Sequence, residues 1–175
     1  GVAYGNIGNV TQSISDYDKV IEINPKHVDA YVSRGITYFK LDNNNQAIRD
    51  YDKAIEINPK YANAYLNRGT AYRELGNYNQ AIRDYDEAIE INPKYVEAYF
   101  WRGGAYFKLG NVTQSIRDYD KVIEINPKHA EALLFRGLLS ASLGNYNKAI
   151  KDFDKAININ PKYAMAYNCR GKVYA

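Results

Sequence analysis

Between residues 28 and 61, apolar positions fall at Ala30, Tyr31, Gly35, Tyr38 and Leu41, and after a polar break at Asp42 and Asn43 the same spacing returns at Ala47, Ile48, Tyr51, Ala54 and Ile55. Positions three and four apart share one stripe of a helix, so the pattern predicts two amphipathic helices. The short polar break folds them into an antiparallel hairpin. The whole pattern then recurs every 34 residues. Asn-Pro stands at Asn24-Pro25, Asn58-Pro59, Asn92-Pro93, Asn126-Pro127 and Asn160-Pro161, and Arg-Gly at Arg34-Gly35, Arg68-Gly69, Arg102-Gly103, Arg136-Gly137 and Arg170-Gly171. A unit of that length cannot bury its apolar stripe alone and must stack on its neighbours. The predicted fold is therefore all-α, an α-solenoid of antiparallel helix hairpins.

Units begin at Val28, Ala62, Val96, Ala130 and Ala164. This divides one array, residues 1–175, into a partial unit 1–27, full units 28–61, 62–95, 96–129 and 130–163, and a partial unit 164–175. Residues 8–27 and 110–129 are the same string apart from Ser15 against Arg117, which implies duplication of a three-unit block. The chain is expected to be a piece of a longer array.

Punctuation within a unit has a physical basis. Gly76, Gly110 and Gly144 stand where a first helix ends, a place that favours a left-handed backbone. Asn9, Asn43, Asn77, Asn111 and Asn145 follow as N-caps, with Gln12, Gln46, Gln80 and Gln114 three residues on, an Asn-x-x-Gln capping box worth about 0.5 to 2 kcal/mol per cap. Lys148 breaks the box. Proline ends each second helix because it restricts the residue before it. Gly35 and its equivalents lie inside helices, where glycine costs roughly 1 kcal/mol against alanine, so close approach to Ala47, Ala81, Ser115 or Ala149 on the second helix is expected to offset that cost.

The period, together with Tyr31, Gly35, Tyr38, Ala47, Tyr51, Ala54 and Pro59, resembles the tetratricopeptide repeat over the whole chain. Tyr31, Tyr65, Tyr99 and Tyr167 replace the family's frequent Trp, Leu133 and Ser140 depart from the recurrent Tyr, and Arg34 with its equivalents stands where the family often has Leu. The resemblance implies a right-handed superhelix whose first helices line a concave groove, and a role in protein interaction.

Arg34, Arg68, Arg102, Arg136 and Arg170 fall on the apolar face and need acceptors. Asp-aromatic-Asp triplets on the second helices supply them, so an internal ladder with Asp16, Asp50, Asp84, Asp118 and Asp152 is expected, the second aspartates pairing less often. An anion site is the competing reading. The aspartates travel with the arginines, which favours architecture.

Positions that vary between units are free to be chosen for a ligand. The resemblance implies that the second, fifth, sixth, ninth, twelfth and thirteenth positions of a unit face the groove. Phe100, Trp101, Phe107, Lys108, Leu134, Phe135 and Leu138 then form an aromatic patch, with Phe39, Leu66, Asn67 and Arg73 on a more polar stretch. This predicts a peptide-binding groove. Trp101 is the only tryptophan, and Ser33, Asn67, Phe135 and Cys169 hold its place elsewhere, so the scaffold does not require it. The alternative is that Trp101 and Phe135 merely pack on a neighbouring helix. The carboxylate clamp of chaperone-binding repeats is not matched, since Val32, Ile36, Glu97 and Trp101 occupy its places and only Asn67 fits. The asparagine ladder of glycosyltransferase-linked arrays is likewise missing.

Composition narrows the classes. With 23 Lys and Arg against 20 Asp and Glu, charge alone argues against a nucleic-acid or membrane partner. No apolar run approaches the roughly 18 residues of a spanning helix. The lone Cys169 excludes an internal disulfide and suits an intracellular, cytoplasmic setting. His27 and His129 lack an acid or thiol partner, so no enzyme, no metal site and no cofactor is expected. The sequons at Asn9 and Asn111 coincide with helix caps. A protein or peptide partner is the leading expectation. Head-to-tail self-association and base reading by an RNA-binding array are the alternatives.

Overall fold

The computed structural model describes the backbone of residues 2–175 and the side chains of residues 9–175. Gly1, where the first partial unit opens, lies outside the described residues. The chain divides into two compact units, Gly1–Pro93 and Lys94–Ala175. Among the described residues every regular element is an α-helix.

In the first unit, α1 (Val2–Ile23) is followed by α2 (Val28–Lys40), α3 (Asn44–Ile57), α4 (Ala62–Glu74) and α5 (Tyr78–Ile91). α2 packs on α3 and α4 on α5 as hairpins, and α3 meets α4 to stack one hairpin on the next. The second unit repeats the scheme with α6 (Val96–Lys108), α7 (Val112–Ile125), α8 (Ala130–Ser142), α9 (Tyr146–Ile159) and α10 (Ala164–Tyr174).

The turns inside the hairpins follow from their residues. Gly76, Gly110 and Gly144 have φ of +78°, +78° and +77°, and Asp42 holds the same place at +58°. Only one capping interaction matches the expected box. Asn43 accepts from the Gln46 amide at 3.3 Å, whereas Asn77, Asn111 and Asn145 occupy the N-cap without a side-chain hydrogen bond. Gln46 turns instead to accept from Arg49. Asn9 caps nothing, because it lies within α1.

The turns between hairpins carry an interaction that the proline hides. Asn24, Asn58, Asn126 and Asn160 each accept through Oδ1 from the amide of the lysine two residues on, at 3.1 Å, bridging the proline that lacks a donor. His27 and His129 then cap the next helix, each Nδ1 accepting from the Ala30 or Ala132 amide at 3.2 Å.

Each hairpin is closed by an aromatic ring from its second helix, Tyr51, Tyr85, Tyr119 or Phe153, set against the glycine of the first. A Cβ on Gly35 would stand 2.6 Å from Tyr51, one on Gly69 2.9 Å from Tyr85, and one on Gly137 2.6 Å from Phe153. The glycines therefore make room for a ring.

Burial raises the phenol of Tyr51 and pushes those of Tyr85 and Tyr119 up to about 12. A raised native value means the folded state holds its proton more tightly, so this stability is complete below pH 10 and is lost as pH climbs from 10 to 12. Denaturant titrations across that interval should show a shallower loss in a Tyr85→Phe, Tyr119→Phe variant. Identical slopes in variant and wild type would refute the linkage.

Candidate functional site

Two side-chain systems stand out: an ion-pair ladder inside the hairpins and an aromatic face in the second unit. The ladder arises because Arg34, Arg68, Arg102 and Arg136 lie on first helices with a carboxylate sixteen residues later on the adjoining second helix. Arg34 donates from Nε to Asp50 at 2.9 Å and from Nη2 to the other carboxylate oxygen at 2.6 Å. Arg68 grips Asp84, Arg102 grips Asp118 and Arg136 grips Asp152 in the same two-pronged way. The planar guanidinium fork fits this geometry, and lysine would not.

The third donor corrects the expected ranking of the aspartates. Nη1 of Arg34, Arg68, Arg136 and Arg170 reaches back to Asp18, Asp52, Asp120 and Asp154 of the preceding hairpin, at 2.5 to 2.6 Å. The second aspartates thus take part as regularly as the first. Asp16 accepts from Gln12 at 3.0 Å. One arginine joins two consecutive hairpins, which fixes their stacking register. Tyr31, Tyr65, Tyr99 and Tyr167 lie under Arg34, Arg68, Arg102 and Arg170 with guanidinium carbons 5.4 to 5.6 Å from the ring centroids. A cation over an aromatic face accounts for tyrosine at this position.

Burial opposes the charge on Arg68, yet Asp84 and Asp52 hold it above its ordinary range. Burial also pushes the Asp84 carboxyl up against the pull of Arg68. We take the pair as ionised, because both carboxylate oxygens of Asp84 receive a guanidinium hydrogen. With their donors spent on these aspartates, Arg34, Arg68 and Arg136 have little left to offer an external anion.

The aromatic face belongs to α6, α7 and α8. Phe100 is its hub, with ring centroids 4.9 Å from Trp101, 5.0 Å from His129, 5.7 Å from Tyr119 and 5.9 Å from Phe135. Phe135 stacks on Tyr119 at 5.8 Å with an interplanar angle of 17°. Phe107 and Phe135 are 51% and 39% exposed, Trp101 is half-buried, and Lys108 is exposed beside Phe107.

Two expected groove residues lie elsewhere. Leu134 is wholly buried, in a core with Leu133, Phe153 and Ala166, and Phe100 is 8% exposed, a floor and not a contact surface. The fifth position is buried at Val32, Phe100 and Leu134, while Leu66 at the same place is half-buried. Leu138 is half-buried on α8. In the first unit, Phe39 is half-buried against the α2–α3 core, Leu66 and Asn67 are half-buried on α4, and Arg73 pairs with the adjacent Glu74. His129 and Tyr119 belong to the aromatic system although the sequence pattern alone marks them as a loop and a core residue. Among the described residues no cluster of His, Cys, Asp and Glu could hold a metal, and no helix is long and apolar enough to cross a membrane.

Comparison with known proteins gives one consistent picture. Profiles described as TPR repeat match residues 37–76, 69–110 and 137–175, and profiles described as tetratricopeptide repeat match 1–27, 16–49 and 96–129. No curated protein sequence matches the chain. Among solved structures, one of MamA is 30% identical, covering 91% of this chain and 93% of its own, with a TM-score of 0.83. YrrB, described as a TPR protein with an unusual peptide-binding site, is 24% identical over 95% of this chain and 86% of its own, with a TM-score of 0.78. The pilF protein of Pseudomonas aeruginosa reaches a TM-score of 0.86 at 19% identity, covering 99% of this chain and 79% of its own.

Proposed function

Because the chain belongs to the tetratricopeptide repeat family, whose repeats act as scaffolds for protein contact, we propose that it binds a partner peptide on the aromatic face of its second unit. The observation that carries this reading is exposed Phe135 and half-buried Trp101 beside a Phe100 floor, with exposed Phe107 about two turns further along α6. The hairpin scaffold does not require these rings. Ser33 and Asn67 hold the Trp101 place, and Arg73 and Ala141 hold that of Phe107, in repeats that fold in the same way.

Large rings on a rigid floor suit an apolar side chain of an extended or helical segment, since aromatic anchors concentrate binding energy. Lys108, exposed beside Phe107, adds a polar contact for the segment.

The sole tryptophan supplies its own reporter. Peptides selected from a displayed random library against the intact protein should shift Trp101 emission on titration. A Phe107→Ala, Phe135→Ala variant should bind them at least about 10-fold more weakly, roughly 1.4 kcal/mol. Equal affinity in the two proteins would remove the aromatic face from the binding site. Affinity that fell with a steep logarithmic salt slope would point instead to a nucleic-acid strand.

A further inference from the structure

The two parts of the aromatic face are separated by a gap in α6. Gly104 lies between Phe100 and Trp101, one turn before it, and Phe107 and Lys108, one turn after. The same place in the other full repeats holds Ile36, Thr70 or Leu138. A Cβ on Gly104 would meet only the Tyr119 hydroxyl, at 3.8 Å, and the glycine itself is partly exposed. The middle of the face therefore lacks a side chain, and the polar atom nearest the space is a phenol oxygen.

That phenol lacks the partner its counterpart has. In repeat 62–95 Tyr85 donates to Thr70 Oγ1 at 3.4 Å, whereas glycine at the Thr70 place offers no oxygen to Tyr119. Burial raises the Tyr119 phenol and Ser115, one turn earlier on α7, pulls against that, yet the buried Ser115 Oγ makes no hydrogen bond. The Tyr119 hydroxyl is thus placed to donate to an acceptor that enters the gap.

The charge beside the gap is positive. Lys108 is exposed, and among the described residues no ion pair engages it, unlike Lys53 and Lys121, which pair with Glu56 and Glu124. It stands one turn beyond Gly104 on the same stripe, and helical side chains lean toward the N-terminus, which puts its ammonium within reach of the space. The other acid of that stripe, Glu97, is seven residues from Gly104, roughly 10 Å along the axis. Asp118, on the adjoining helix, is held by Arg102. Lys40 has the place of Lys108 on α2, but Ile36 fills the gap there, and Glu74 and Ser142 have that place on α4 and α8. Of the full repeats, only 96–129 sets an empty ninth position beside a cation.

We propose that the gap at Gly104 receives the carboxylate of an aspartate or glutamate from the partner peptide, accepting from the Tyr119 hydroxyl and facing Lys108, while adjoining apolar side chains of the peptide rest on the exposed rings. The inference rests on the peptide-binding reading above and names the chemistry that reading leaves open.

A displayed library of random nine-residue peptides, selected on the intact protein, tests it. Selected peptides should carry an Asp or Glu beside an apolar residue. Replacing that acid by Asn or Gln should weaken binding at least about 10-fold, measured by fluorescence anisotropy. Gly104→Thr should weaken the acidic peptide about 10-fold without lowering the melting temperature, because the new side chain fills the gap as Thr70 does. Lys108→Gln should weaken the acidic peptide about 5-fold and leave its amide version unchanged.

Equal affinity of the acidic and amide peptides, undiminished binding by Gly104→Thr, or less than about 2-fold coupling between Lys108→Gln and the amide replacement each overturns the proposal. If the same peptides still lose affinity in Phe107→Ala, Phe135→Ala, the aromatic face stands and only the acidic anchor falls. Binding kept in that double variant but lost in Gly104→Thr would support the gap and count against the rings. A selection that yields no binder overturns both.

Discussion

Replacing Asp84 with alanine is expected to lower stability by about 3 to 5 kcal/mol, the scale of breaking a buried ion pair from one side. Asp84 is 1% exposed and takes two hydrogen bonds from Arg68, at 2.9 and 2.7 Å. Without it, Arg68 keeps only one carboxylate, that of Asp52, and the face of Tyr65 while remaining mostly covered, its side chain 17% exposed. A guanidinium in that position has lost most of its compensation for leaving water. The size of the loss does not mean that the pair stabilises the fold by the same amount. Removing both charges, as Arg68→Met with Asp84→Leu, is expected to be far milder, because desolvation offsets much of the attraction in the intact pair. Urea unfolding followed by circular dichroism separates the cases. A loss under 1 kcal/mol in Asp84→Ala would show that the ladder is not energetically coupled to burial.

A second pair of variants sets helix propensity against space. Alanine for an interior helical glycine ordinarily gains about 1 kcal/mol. At Gly137 the new methyl would stand 2.6 Å from Cε1 of Phe153, whose ring is wholly buried and has nowhere to move. Overpacking of this kind costs about 1 to 3 kcal/mol, so Gly137→Ala is expected to be destabilising. Gly104 is the contrast. Its Cβ would meet only the Tyr119 hydroxyl, at 3.8 Å, and Gly104→Ala should gain about 0.5 to 1 kcal/mol. Melting curves of the two variants should move in opposite directions. If Gly137→Ala melts above the wild type, the aromatic closure of the hairpin is looser than the structure shows.

The repeat was legible in sequence because its signals are local. Helical stripes, Asn-Pro stops and the glycines of the inner turns each depend on a few neighbouring residues, and the helices begin at Val28, Ala62, Val96, Ala130 and Ala164 as the spacing indicates. The His27 and His129 caps were less visible, since histidine is an uncommon cap and their counterparts are tyrosines. The expected capping boxes largely failed: Asn77, Asn111 and Asn145 make no side-chain cap, and behind the one formed cap, at Asn43, the Gln46 side chain turns to Arg49.

Side-chain destinations needed the third dimension. Phe100 and Phe135 look equivalent in a list of groove positions, yet one is a buried floor and the other an exposed rim. Leu134 reads as a groove residue until α10 is seen to cover it.

By itself the sequence determined a stack of helical hairpins and the composition of each turn, because backbone geometry and local hydrogen bonding act over a few residues. Tertiary structure alone decided that Arg34, Arg68 and Arg136 would each grip carboxylates of two successive repeats and which rings would reach solvent. Those outcomes depend on competition for space and charge among residues sixteen or more positions apart.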